Sequence, residues 1–141
     1  MARTERDVEA YLEALGRTWD RLDDGTFVVQ SGNETPTALR MAGALLVARV
    51  LIGNAPNAKP ELEARLFRRL LEHNASDLVY ASYGLENEHI VLSAALELEN
   101  LDMNELEAVL GDIDLALARH VSELRELSKE AYMSGESSNH G

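Results

Sequence analysis

The sequence predicts an α+β protein with a single, mostly antiparallel sheet. Two observations carry this prediction. Three stretches, near the start, the middle and the end of the chain, place their apolar residues at helical spacing. Between them, short runs of alternating apolar residues occur in pairs joined by turn residues, which is typical of β-hairpins. The predicted order is a helix, two hairpins, a second helix, a third hairpin and a last helix.

The first helix is predicted to begin at Thr4, a suitable N-cap with Asp7 three residues later. Gly16 ends its run of apolar residues at i, i+3, i+4 and i+7. These residues are Val8, Tyr11, Leu12 and Leu15. A first hairpin follows, with strands over 18–22 and 26–30.

A second hairpin is predicted over residues 37–53, with its turn near Ala42 and Gly43. Its later strand is apolar on both faces, because Leu46, Ala48, Val50 and Ile52 alternate with Leu45, Val47, Arg49 and Leu51. Such a strand is either covered on both faces or offers one face to a partner. The predicted helices are too few to cover both faces, which favours a binding surface. A helix or loop that covers the second face is the alternative.

Pro60 opens the second helix, because its missing N–H is not needed at a helix start. The apolar stripe of this helix consists of Leu62, Leu66, Phe67, Leu70 and Leu71. The third hairpin is predicted to run over 78–85 and 90–98. Tyr80 and Tyr83 lie on opposite faces of its first strand, so one of them is expected to be exposed, as interface tyrosines often are.

The last helix is predicted over residues 103–131, with Asp102 and Glu105 as its N-terminal signal. Its apolar stripe consists of Leu106, Leu110, Ile113, Leu117, His120, Leu124, Leu127 and Ala131. Such a helix spans about 43 Å, whereas a nine-residue strand spans about 30 Å. The last turns of the helix are therefore expected to extend beyond the sheet.

This extension, with Leu124, Leu127 and Tyr132, is interpreted either as a dimer interface or as a solvated helix end. His120 is interpreted as a core or interface residue, because no second histidine stands at ligand spacing. The single domain is predicted to span residues 1–132, and the Ser/Gly-rich tail over 133–141 is predicted to be disordered.

Composition narrows the classes of function. The absence of cysteine excludes disulfides, thiolate catalysis and cysteine zinc sites, and it suits a reducing cytoplasm, where we expect the protein. The net charge of −12 disfavours direct binding of nucleic acid or anionic lipid. Arg65, Arg68 and Arg69 form the best basic cluster, but Glu61 and Glu72 stand at helix-pair spacing from it, which indicates a solvated surface. No secretory signal or membrane-spanning run is recognisable.

Sequence motifs give no sign of catalysis. Nucleotide-binding, hydrolase and zinc-protease motifs are absent, and the histidines are scattered. We therefore predict a non-enzymatic protein without catalytic residues, metal or cofactor. An unrecognised enzyme, or an accessory or regulatory factor in a stress or nucleic-acid-related pathway, is the alternative.

Three stretches, which lie within about residues 4–131, resemble the YbjN family. They are ALLVARVLIGNAP, FRRLLEHNASDLVYASYGL and YGLENEHIVLSAALELENLDMNELEAVLGDIDLAL. The resemblance implies the fold of the type III secretion chaperones, with the element order α-β-β-β-α-β-β-α. It also implies a small acidic bacterial homodimer that holds an extended segment of another protein against its sheet.

A partner strand can pair with an exposed sheet edge while its side chains enter apolar pockets. The predicted partner-binding residues are Val47, Arg49 and Leu51, with Tyr80 or Tyr83. Arg49 would either orient a carboxylate of the partner or protect an edge strand from aggregation.

Overall fold

The computed structural model describes residues 1–55 and 60–140, and their side chains except those of residues 33 and 128–140. The helices are α1 (Glu5–Ala14), α2 (Pro60–Ser76) and α3 (Met103–His140). The strands are β1 (Trp19–Arg21), β2 (Phe27–Gln30), β3 (Pro36–Ala42), β4 (Leu45–Asn54), β5 (Ser82–Glu86) and β6 (His89–Glu97), and a short 3-10 helix, Gly32–Glu34, precedes β3. Because all described strands belong to one antiparallel sheet, the predicted α+β class is confirmed.

The strands lie in the order β1-β2-β3-β4-β6-β5, which places β4 in the middle of the sheet. Both hairpins predicted before α2 are present, so four strands precede this helix. The order α-β-β-β-α-β-β-α implied by the family resemblance has only three there. The additional strand is β1, which has three residues and pairs only with β2, at the edge of the sheet.

Hydrogen bonds at the helix starts confirm the predicted caps. At α1, the Thr4 hydroxyl accepts the backbone N–H of Asp7, and the Asp7 carboxylate accepts the backbone N–H of Thr4. The second of these bonds lowers the pKa of Asp7. At α3, Asp102 accepts the N–H of Glu105 at 2.8 Å, and Glu105 accepts that of Asp102 at 3.4 Å. Both caps satisfy N–H groups that a first helical turn leaves unpaired.

All three helices pack on the same face of the sheet. The buried residues of β4 are Leu46, Ala48, Val50 and Ile52, as the alternation predicts. They share one core with Val8 and Leu12 of α1 and Leu66 and Leu70 of α2. The contribution of α3 includes Leu106, Leu110, Ile113, Leu117 and Leu124. The helices therefore cover one face of the sheet only.

The last helix, α3, extends to His140, beyond the end predicted at residue 131. Leu124 is buried in the subunit, and Leu127 packs partly buried against the core, so the stripe continues to contact the domain at least this far. The domain limits of 1–132 and the disorder of 133–141 stay predictions.

Replacing Gly111 by alanine is expected to stabilise the protein by about 1 kcal/mol. Gly111 lies inside α3, and a Cβ atom added to it would meet no atom within 4 Å. Because glycine loses more backbone freedom than alanine on helix formation, the variant gains helix propensity without a clash. Urea denaturation followed by circular dichroism measures the effect, and a midpoint below that of the parent would contradict the expectation.

Candidate functional site

The sheet face opposite the helices carries an apolar surface, which we call the open face and centre on Val47, Arg49 and Leu51 of β4. Val47 is partly exposed, Arg49 is exposed and Leu51 is 58% exposed. On the neighbouring strand β6, Ser93 lies opposite Arg49 and Ala95 lies opposite Val47. Because Ser93 and Ala95 are small, the longer side chains of β4 opposite them rise above them. Leu51, in contrast, lies opposite Val91, which is 6% exposed. An extended polypeptide can lie flat on such a surface.

The sequence alone did not decide whether the second face of β4 is covered within the subunit. Among the described residues, no helix or loop removes Leu45 or Leu51 from solvent, since they are 38% and 58% exposed. The residues that alternate with them along β4 are buried under the helices. The strand is thus apolar on both faces but covered on one, and the three predicted β4 residues share the uncovered face.

Arg49 is paired within the subunit. Its guanidinium lies 2.7 Å from the carboxylate of Glu86 on β5, so the ion pair crosses over β6. Because β4 has a neighbouring strand on each side, the suggestion that Arg49 protects an edge strand is wrong. Both side chains are about half exposed, so the pair contributes little to stability and leaves Arg49 available to a competing carboxylate.

Only one of the two candidate tyrosines is accessible. Tyr80 is 56% exposed, whereas Tyr83 is 6% exposed and places its hydroxyl 3.0 Å from Nδ1 of His120. One exposed tyrosine was expected, and it is Tyr80; Tyr83 offers no surface to a partner in this structure. Tyr80 lies in the connection between α2 and β5, which Asp112 attaches to α3. The structure therefore does not bring Tyr80 together with the β4 residues.

One carboxylate holds the connection between α2 and β5. Asp112 accepts the backbone N–H groups of Val79 at 3.3 Å, Tyr80 at 2.8 Å and Ala81 at 2.9 Å. Ala81 is only 5% exposed, so its N–H depends on this acceptor more than those of its exposed neighbours do. Asp112 thereby fixes the start of β5 against α3.

Replacing Asp112 by alanine is expected to destabilise the protein by about 1–3 kcal/mol, because it leaves the buried N–H of Ala81 without an acceptor. Asp112→Asn keeps one carbonyl oxygen and should lose less. Glu107→Ala, at an exposed position of the same helix, is the matched control and should stay within about 0.5 kcal/mol of the parent. Equal urea midpoints for the Asp112→Ala and Glu107→Ala variants would contradict this role.

The residues predicted for a dimer interface occupy different environments. Leu124 is 1% exposed, so the core of its own subunit already covers its side chain. Leu127 is partly buried, and the side chain of Tyr132 lies outside the described residues. A dimer interface at this end of α3 stays a prediction, with Leu127 and Tyr132 as its remaining candidates.

A second feature is a polar cluster between α2 and α3, which we call the His73–His120 cluster and which also contains Asp77 and Tyr83. One carboxylate oxygen of Asp77 lies 2.8 Å from Nδ1 of His73 and 3.1 Å from Nε2 of His120. The two imidazole rings stack with centroids 3.6 Å apart. Both histidines are buried, whereas Asp77 is exposed. Nε2 of His73 is buried without a hydrogen-bond partner and lies 3.9 Å from Glu123.

Burial and pairing shift the pKa values of this cluster in opposite directions. Burial, with the neighbouring His73, lowers the pKa of His120. The hydrogen bond from His73 lowers the pKa of Asp77, and burial raises that of the Tyr83 hydroxyl. The hydrogen bond from Arg69 lowers the pKa of Glu123. The cluster therefore combines neutral His120 and Tyr83 with ionised carboxylates at neutral pH.

Sequence reasoning missed the His73–His120 cluster because its histidines are far apart in the chain. It interpreted His120 as a core or interface residue on an apolar stripe. The available signals were the four-residue spacing of His73 and Asp77 and the presence of a histidine among core leucines. The two histidines come together only because α2 packs against α3, and neither signal reveals this packing.

Three helices and a single six-stranded antiparallel sheet match the α+β fold of the type III secretion chaperones. The sequence profile of the family CesT_Tir_1 matches residues 1–130. The chain belongs to this family of type III chaperones, and the YbjN-like chaperone fold expected from the sequence is confirmed.

Solved structures with low sequence identity share the fold. A chain of the heterodimeric ExoU–SpcU complex from the type III secretion system of Pseudomonas aeruginosa is 18% identical, with a TM-score of 0.65, and the match covers 82% of this chain and 95% of that one. YbjN from E. coli is 10% identical, with a TM-score of 0.63 and coverages of 87% and 95%. The Yersinia pestis chaperone SycH, solved with a fragment of YscM2, is 17% identical, with a TM-score of 0.55 and coverages of 88% and 98%.

Two further comparisons are negative. No curated protein matches the sequence significantly. Among the described residues, no helix combines the length and the apolar character that crossing a membrane requires.

Proposed function

We propose that this protein is a non-enzymatic, chaperone-like module that holds an extended segment of a partner protein on the open face. The observation that carries the proposal is the uncovered apolar row on β4, with Leu51 58% exposed in the middle of the sheet. Large exposed apolar side chains that share one face are typical of interaction sites. Membership of a type III chaperone family supports a protein as the ligand.

The sheet also offers an edge for the main chain of the partner. β5 pairs only with β6, but the Asn74 side chain of α2 already accepts the N–H of Tyr83 and donates to its C=O, so an added strand could pair only with the end of β5 near Leu85. The side chain of Arg49 extends from the open face to Glu86 on β5, so it lies between the open face and the β5 edge. A segment that pairs with β5 could place a carboxylate near Arg49 and apolar side chains on β4.

The charge of the protein favours a particular kind of partner. With a net charge of −12, the chain attracts basic segments and repels acidic ones at low salt. We propose an amphipathic partner segment that carries apolar residues for the open face and basic residues around them. Binding to such a segment should weaken as the salt concentration rises.

Two copies of the chain form the proposed functional unit, and the protein is proposed to act in the cytoplasm. The end of α3, with Leu127 and Tyr132, is the proposed contact between the copies, because the last turns of this helix are expected from its length to extend beyond the sheet. In this arrangement the open faces of both copies stay available to partners.

To test the function, the protein is purified from its native host together with any protein bound to it. The partner segment is trimmed by limited proteolysis, identified, synthesised and titrated by calorimetry into the purified chain. Light scattering gives the mass of the free chain. We expect saturable binding of the segment by a dimer. A monomeric chain that binds none of the copurified segments would contradict the proposal.

A further inference from the structure

We propose that His73, Asp77 and His120 form a binding site for a divalent transition-metal ion, with Zn²⁺ as the ion that fits best. The site is separate from the open face, because its ligands come from the end of α2 and from α3 on the helical side of the sheet. Two imidazoles and one carboxylate are a common protein ligand set for zinc, with a fourth position for water.

The spacing of the ligand atoms suits a tetrahedral ion. All three ligand atoms lie within 4.8 Å of one another, and the Asp77 oxygen lies 2.8 Å and 3.1 Å from the two nitrogens. Bonds of about 2.0 Å in tetrahedral geometry place neighbouring ligand atoms about 3.3 Å apart. The cluster therefore has to open by a few tenths of an ångström around Asp77, and the two ligand nitrogens, which are at most 4.8 Å apart, have to approach each other by up to about 1.5 Å.

One adjustment of the rings is needed. The two imidazoles are stacked with an interplanar angle of 17°, so the lone pairs of their nitrogens lie in almost parallel planes. One ring has to tilt for both lone pairs to converge on an ion. Asp77 follows the end of α2 and has 41% of its side chain exposed, so its carboxylate can move outward while the ion enters.

Proton positions give the strongest argument for the site. Without an ion, the shared oxygen of Asp77 accepts an N–H from Nδ1 of His73 and another from Nε2 of His120. Nε2 of His73 is then left buried without a hydrogen-bond partner, 3.9 Å from the Glu123 carboxylate. A buried polar atom without a partner is costly and needs an explanation.

An ion removes this unsatisfied atom. When Nδ1 of His73 and Nε2 of His120 bind the ion, each imidazole carries its proton on the other nitrogen. Nε2–H of His73 then points toward Glu123, and Nδ1–H of His120 toward the Tyr83 hydroxyl oxygen at 3.0 Å. Zinc-bound histidines usually donate their second N–H to such an oxygen. In the metal-bound form the second nitrogen of each imidazole thus carries a proton that faces an oxygen, and the contact of His73 with Glu123 has to shorten from 3.9 Å to become a hydrogen bond.

The ligand types select the class of ion. Imidazole nitrogen suits Zn²⁺, Cu²⁺, Ni²⁺ and Co²⁺, whereas Mg²⁺ and Ca²⁺ prefer oxygen ligands. Because His73 lies in the last turn of α2, Asp77 directly follows this helix and His120 belongs to α3, a bound ion would join the two helices. Binding to the folded state alone would raise the melting temperature.

The test uses the full-length chain after removal of metals with a chelator. Calorimetry and thermal melting are measured with ZnCl₂ and, for comparison, with MgCl₂. We expect one Zn²⁺ per chain, a higher melting temperature with Zn²⁺ and no comparable shift with Mg²⁺. Co²⁺ should give the visible absorption of a tetrahedral nitrogen and oxygen site.

Variants distinguish this site from surface binding. Asp77→Asn is the principal variant, because its exposed side chain can change without disturbing the core, and it should weaken Zn²⁺ binding at least about 10-fold. Glu123→Gln should weaken it about 10-fold by loss of the orienting carboxylate. His89→Asn removes an exposed histidine elsewhere and should leave the affinity unchanged. Absence of Zn²⁺ binding, or equal affinities of the parent and the Asp77→Asn variant, would overturn the proposal in favour of a protonated His73 between two carboxylates.

Discussion

Replacing Gly32 by alanine is expected to destabilise the domain by about 3 kcal/mol, the largest stability effect that we expect from a single added methyl group. A Cβ atom at Gly32 would lie 2.3 Å from the backbone carbonyl oxygen of Asp114 in α3. A backbone atom cannot turn aside as a side chain can, so α3 or the 3-10 helix has to shift. That shift would also stretch the hydrogen bond from Gly32 N–H to the Asp114 carboxylate, which is 2.9 Å long.

Gly84→Ala is the matched control for this variant. Gly84 lies in β5, and a Cβ atom there would meet nothing within 4 Å. Urea denaturation should place the midpoint of the Gly32→Ala variant well below that of the Gly84→Ala variant. Coincident midpoints would mean that the 3-10 helix and α3 can separate at little cost.

Replacing Leu51 by aspartate is expected to weaken binding of the partner segment at least about 30-fold, the factor that corresponds to a loss of about 2 kcal/mol. Leu51 is 58% exposed, so the new carboxylate stays hydrated in the free protein and creates no cavity in the core. In the complex the same carboxylate would be buried against apolar side chains. Val47→Glu, on the same face of β4, should act in the same direction.

The control is an aspartate at an equally exposed leucine on another surface. Leu71 of α2 is 67% exposed, so Leu71→Asp changes the charge and the apolar area in a similar way. Calorimetry should find near-parent affinity for the Leu71→Asp variant, and circular dichroism should find all three variants folded. Equal losses of affinity at positions 51 and 71 would show a general effect of charge instead of a site on β4.

Local patterns in the sequence were sufficient for the elements and their buried faces. The alternation along β4 separated the buried Val50 from the exposed Leu51, because successive side chains of a strand point to opposite faces. The caps at Thr4 and Asp102 were predictable for a similar reason, since each depends on residues three positions apart. The uncovered face of β4 was one of two alternatives that the alternation left open, the other being a face covered by a helix or loop.

Features that depend on distant parts of the chain could not be predicted in this way. The place of Arg49 in the middle of the sheet follows from the pairing of β4 with β6, which α2 and β5 separate in the sequence. Tyr83 is buried because β5 packs against the helices, where the tyrosine hydroxyl meets His120, 37 positions away. The His73–His120 cluster has the same origin, because only helix packing brings its two histidines together.

Methyl NMR of the chain with its isolated partner segment tests the central claim most directly, because it reports which apolar side chains the segment contacts. We expect the largest shift changes at the methyl groups of Val47 and Leu51, and little change at Leu71 of α2 and Leu115 of α3, which are 67% and 54% exposed on the helical side. Changes confined to Leu71 and Leu115, with Val47 and Leu51 unaffected, would contradict the claim that the open face holds the partner.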